Sequence, residues 1–350
     1  MPKKKNYNNE PVPFRRLKDF TKKYPRVWEY CDAFRDGRDI LPRWNDLCQI
    51  PIAATLSVMS MYHKDTVDSG TFPAECAALY SWRKFKEIYS FDEDLSNMLM
   101  AQAEDIEIPV DVLYSLPYPC IWIQANRNTG FFAWFEDDVN TNIMELRMLV
   151  MSDDRITANL MLHLKQGWTI SDGVKDAVEL IKKSLKDPEL QEQSAEYGVT
   201  INPKQYKEGF NFYFYTEQYR MISQYIQLVL YICAENKDIQ ENEVQKAITS
   251  RSASGTKPKD VYREIRKWDV GYRVGNAIRK YTVEKQQRDI AHDSTGGGNR
   301  KRPHTRRGHY HHYWIGSDKN NNRRIILKWI APMFINGEED DIIPTQHNVK

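Results

Sequence analysis

Apolar positions recur at helical spacing from Ile52 onward, where Ala53, Leu56, Met59 and Met61 follow Pro51, a residue suited to a helix start. Pro73 opens a second stretch with Cys76, Ala77, Leu79, Tyr80, Trp82, Phe85 and Ile88 on one stripe, and Asp92 to Gln102 reads as a third helix. The period then changes. Cys120 to Gln124 reads as a strand entered through Pro117 and Pro119, and Phe131–Phe135, Leu146–Met151 and Asn159–Leu164 read as three more, separated by turn-forming segments. Four strands in succession at this spacing predict an antiparallel meander.

Residues 170–185 form an amphipathic pattern with Ser171 as the expected N-cap and Lys182, Lys183 and Lys186 suited to the C-terminal end. The longest apolar helix is expected from Thr216 through Cys233. His309 to Ile335 reads as two strands joined across Asp318 to Arg324. Polar breaks are expected at 187–213, 250–259 and 286–303, and the first 26 residues, with nine basic side chains, read as an arm or irregular lead-in. The class is α+β, with no visible repeat. The organisation is a body over 1–186 (helices, then antiparallel strands), a connection over 187–213, and a C-terminal α+β part over 214–350. Residues 286–303, carrying Thr295-Gly-Gly-Gly-Asn-Arg-Lys-Arg302, are expected to be a mobile basic loop because three glycines lose much entropy on ordering.

With 350 residues, 41% apolar and 28% charged, the composition is that of a soluble globular chain. The longest apolar run, Tyr225 to Ala234, is too short to span a bilayer and is interrupted by Gln227. No apolar stretch follows the basic N-terminus, which argues against a secretory signal. Five scattered cysteines without a CxxC pair argue against a disulfide scaffold or structural zinc and for a reducing cytoplasm.

Charge is divided unevenly. Residues 251–350 hold 21 Lys+Arg against 11 Asp+Glu, while the first 250 hold 29 against 37. An acidic body with a basic end points to nucleic acid or to a solvated flexible segment.

Four of the eight histidines lie between His304 and His312. On a strand, His309 and His311 share a face, but no cysteine or carboxylate is adjacent to complete a metal site, and neither metal nor cofactor is expected. Arg306–His311 and Arg307–His312 match the Arg-x4-His spacing of helical HEPN-type ribonucleases, in which Arg stabilises phosphate charge and His moves a proton. Gly308 and the aromatic alternation instead read as turn then strand, so His309, His311 and Arg306 form only a secondary catalytic reading. As a binding surface, Arg300, Arg302, Arg306 and Arg307 offer phosphate contacts, and Tyr310 and Trp314 offer stacking to unpaired bases. No GxGxxG, Walker, HExxH or GxSxG motif is present. Phe131 and Trp134, followed by Asp137 and Asp138, suggest an apolar groove with an acidic rim suited to a basic peptide, or ordinary sheet core capped by a turn.

Arg302-Pro-His-Thr-Arg-Arg-Gly-His-Tyr-His-His-Tyr-Trp-Ile-Gly316, Leu327-Lys-Trp-Ile-Ala-Pro-Met-Phe334 and Pro344-Thr-Gln-His347 together resemble the signature of the second family of type V-A anti-CRISPR proteins. Leu116–Ile123 and Leu228–Asn236 support the resemblance. It implies a protein of a phage, plasmid or other mobile element, acting in the bacterial cytoplasm. It further implies recognition of the N-terminal part of the nascent type V-A CRISPR nuclease and destruction of its mRNA during translation. The partners so implied are that nascent peptide, the ribosome or message, and a host nuclease. An RNA-binding protein or metal-independent ribonuclease is the alternative.

Overall fold

The computed structural model describes residues 10–37, 43–68, 70–102, 105–139, 141–186, 188, 208–245, 265–292, 304–306, 308–317 and 323–335. Its centre is a seven-stranded mixed sheet covered by helices on both faces.

Helices α1 (Val12–Lys23), α2 (Val27–Asp36), α3 (Ile52–Met59) and α4 (Phe72–Phe85) precede β1 (Glu87–Phe91) and α5 (Glu93–Met100). The expected meander follows as β2 (Cys120–Gln124), β3 (Thr129–Asp138), β4 (Ile143–Ser152) and β5 (Arg155–His163), each antiparallel to the next. After α6 (Ile170–Lys186) and α7 (Glu208–Cys233) come β6 (Ile239–Gln245), β7 (Ile265–Val270) and α8 (Tyr272–His292). The chain then forms β8 (His304–Arg306), β9 (His309–Ile315), β10 (Arg324–Ile330) and β11 (Met333–Ile335), which make two small antiparallel pairs, β9 with β10 and β8 with β11.

The sheet order is β5-β4-β3-β2-β1-β7-β6, with β1 parallel to both β2 and β7. Strands from before and after the 187–213 segment therefore share one sheet. Because both faces are covered, inner strands read as continuous apolar runs. On β3, Phe131, Ala133 and Phe135 enter the core beneath α5, α6 and α7, whereas Phe132 and Trp134 enter the core beneath α1–α4. Leu79 and Trp82 are fully buried in the latter. All five cysteines are buried and unpaired. Among the described residues no helix is long and apolar enough to cross a membrane.

Several local expectations are corrected. The helix from Pro73 does not continue to Ile88: Lys86 takes a left-handed conformation (φ 54°), ends α4, and hands the chain to β1. The basic lead-in is helical over α1, whose apolar stripe anchors through buried Phe20. At α6 the cap is Thr169 rather than Ser171, because the Asp172 amide donates to Thr169 Oγ1 (3.2 Å) while Asp172 Oδ2 accepts from the Thr169 amide (3.0 Å). The break expected at 286–303 begins later, since α8 runs through His292, and 293–303 lies outside the described residues.

Candidate functional site

A cleft of about 420 Å³ lies between the segment after α5 and strand β9. Its floor includes Gln227 of α7; one wall carries Gln102 and residues 105–108, and the other carries Gly308 to His312. Local bonding fixes both walls. Ser171 Oγ accepts from the Ile106 amide (2.6 Å), and the Ile170 amide donates to Ile108 O (2.8 Å). Opposite, the Tyr310 hydroxyl donates to Gln227 O (2.7 Å), clamping β9 onto α7. The Asn236 side chain holds β10 by donating to Trp329 O (2.6 Å) and accepting from the Trp329 amide (2.9 Å). Leu327 and Trp329 are thereby buried in the main core.

The rim is charged. Asp105 and Glu107 are exposed on one side and face the histidine-bearing strand on the other. Among the described residues, strand β9 pairs only with β10, and its residues Gly308 to His312 line the cleft. Gln227 is 4% exposed, and among the described residues its Oε1 accepts no hydrogen bond and the buried Gln102 Nε2 donates to none. A buried amide group left unpaired costs about 1–3 kcal/mol. A ligand presenting both a donor and an acceptor would remove that cost at two points.

The residues singled out from sequence separate widely. Arg300, Arg302 and Arg307 lie outside the described residues, and Arg306 is placed as part of β8. Arg306 and His311 sit on successive strands, so the Arg-x4-His spacing lacks the helical frame of the ribonuclease motif. His309 and His311 line the cleft, and among the described residues no group of three His, Cys, Asp or Glu could hold a metal ion. Tyr310 turns inward to α7, while Trp314 is 48% exposed near the ribbon tip with the Arg323 guanidinium 4.6 Å from its ring centre.

Phe131 and Trp134 are wholly buried on opposite sheet faces and cannot together line a surface groove. Asp137 is also buried and accepts from the Asn45 amide, and Asp138 accepts from the Thr141 hydroxyl at 2.7 Å in a turn. The acidic rim that those residues suggested is found instead at Asp105 and Glu107. Its sequence signal is the polar–apolar alternation Asp-Ile-Glu-Ile; the signal for Gln227 is a lone amide inside the longest apolar run.

A second polar cluster is internal. His163 Nδ1 lies 2.6 Å from Asp176 and its Nε2 lies 3.0 Å from Glu145, which also accepts from Arg147 Nε (2.7 Å). Burial alone would lower the His163 pKa, but the hydrogen bond and charge of Glu145, followed by those of Asp176, outweigh it and raise it. Burial pushes Glu136 up to about 8, against the pull of Arg147.

These features define a class: an α+β protein whose helix-covered mixed sheet supports a C-terminal β-ribbon and, beside it, a cleft with an acidic rim. The family model of the AcrVA2-like, anti-CRISPR type V subtype A2 family matches residues 89–337, and the chain belongs to that family. It is similar to Protein FinQ of Escherichia coli, with 25% identity over 302 residues covering 82% of this chain and 83% of FinQ. The crystal structure of AcrVA2 shares the fold, with a TM-score of 0.56 at 17% identity, covering 93% of this chain and 99% of that one. The family resemblance drawn from the C-terminal block and the α+β class both hold.

Proposed function

We propose that this protein recognises the N-terminal segment of a nascent type V-A CRISPR effector and brings about destruction of its mRNA, lowering effector levels. Membership of the anti-CRISPR family supports a target within that system. The observation that carries the finer reading is the cleft between Asp105–Ile108 and β9. An extended peptide would dock there along the cleft beside β9, with alternate side chains reaching the two walls. Asp105 and Glu107 favour a basic segment, and Gln102 with Gln227 offers a donor and an acceptor to its main chain. In this reading the protein is an adaptor, with decay carried out by a host nuclease near the ribosome.

A synthetic peptide copying the first residues of the effector, titrated into the full chain, tests the docking. The double variant Asp105→Lys, Glu107→Lys should weaken binding at least tenfold and spare the effector message in cells. Unchanged peptide affinity in the folded double variant would place recognition elsewhere. The ribonuclease alternative predicts that the purified protein cuts a labelled transcript and that His309→Ala or His311→Ala stops it; an intact transcript supports the adaptor.

A further inference from the structure

Strand alternation sorts the β9–β10 ribbon into two unlike faces. Leu327 and Trp329 on the inner face are buried in the core, and Tyr310 is tied to α7. The outer face carries His311, Tyr313 and Ile315 beside their cross-strand partners Lys328, Ile326 and Arg324. On it the His311 and Tyr313 rings stack at 4.8 Å with 22° between planes, and Lys328 Nζ lies 5.9 Å from the Tyr313 ring centre. Tyr313 is 42% exposed. Neither strand contains an Asp or Glu, so this cationic, aromatic surface has no carboxylate of its own strands upon it.

From this arrangement we propose that the outer face of the β9–β10 ribbon is a binding platform for single-stranded RNA, with bases stacking on His311 and Tyr313 and phosphates paired to Arg324 and Lys328. Planar rings flanked by cations suit an unpaired polyanion, because every base has a stacking face and each phosphate contact releases counterions. An acidic peptide would satisfy the cations but leave the stacked rings without a planar partner. The platform lies on β9 itself, whose Gly308 to His312 also line the peptide cleft, so both ligands would be held by one ribbon with His311 common to the two surfaces. The inference rests on the proposed function for one point, that a message lies within reach.

The test is fluorescence anisotropy of a labelled RNA of about ten nucleotides with the full chain at several salt concentrations. Single strand should bind more tightly than a duplex of the same sequence. Tyr313→Ala should lose about tenfold in affinity with the salt slope unchanged, and Tyr313→Phe should retain it. Arg324→Ala with Lys328→Ala should reduce the slope by about 1.4, roughly 0.7 for each phosphate released. Absence of binding at low salt, a preference for duplex, or wild-type affinity in all these variants would overturn the proposal. So would loss of peptide binding in a folded Tyr313→Ala, which would make this face part of the peptide site. A wild-type protein that binds RNA but not the effector peptide would defeat the proposed function and leave the platform standing.

Discussion

Glu136 and Glu145 stand directly opposite each other on β3 and β4, and both side chains are buried. Two like charges so placed repel, and the surroundings resolve the conflict unequally. Glu145 has Arg147 and His163 as partners, whereas Glu136 accepts from the Ile52 amide (2.5 Å) and is pushed up to about 8, chiefly by burial.

Stability should therefore fall as pH rises. Glu136 holds its proton in the folded chain up to about 8 but releases it near 4.5 when unfolded, so its contribution is complete below 4.5 and lost toward 8. His163 acts with the same sign, its contribution lost as pH rises above 6.5 through its raised value. Melting temperatures measured from pH 4.5 to 8 should decline, and Glu136→Gln should flatten the decline; equal slopes in both proteins would refute this account.

Gly275 carries a packing constraint. A Cβ there would lie 1.9 Å from Asp92 Oδ1, and Asp92 both caps α5 through the Asp94 amide (3.1 Å) and pairs with Arg279 (3.0 Å). Gly275→Ala should cost about 1–3 kcal/mol by overpacking, with further loss from the broken cap. Urea unfolding would measure it, and a neutral result would show that α8 shifts freely on α5.

Trp82 is wholly buried, packs edge-on against Phe132 at 6.1 Å, and donates to Glu87 O at 3.0 Å. Trp82→Ala should cost on the order of 3–5 kcal/mol in chemical denaturation. Lost activity with undiminished stability would instead mark a binding role.

Removing one oxygen tests the ribbon clamp. Tyr310→Phe deletes the bond to Gln227 O, so about 0.5–1.5 kcal/mol of stability should go while RNA affinity stays constant. The opposite outcome would turn Tyr310 into a nucleotide contact.

The meander was legible because each strand is an apolar run bounded by turn residues, and α6 because its stripe is long and one-sided. Strand β1 was not. Ile88 falls three residues after Phe85 and continues the helical stripe, while the left-handed Lys86 that ends α4 leaves no mark on periodicity. α1 was obscured by its own lysines and arginines, which hide a narrow stripe fixed by packing against later helices. At the site, the aromatic and basic character of the C-terminal block was visible, but which rings face outward was not: strand alternation puts Tyr313 outside and Tyr310 inside. Gln102 and Gln227 gain meaning only when α5 and α7 are brought to the same cleft as β9.

The pairing of β1 with β7 has a consequence for how the protein is made. Trp268 Nε1 donates to Glu87 Oε2 (2.7 Å) across 181 positions of sequence. While the ribosome is still translating the intervening stretch, the flank of β1 that will receive β7 presents open main-chain groups, the kind of surface that recruits other chains. A transcript cut short before the codon for Ile265 would thus yield an unfinished sheet inviting aggregation, and the protein becomes safe to release only once nearly four-fifths of it has been synthesised.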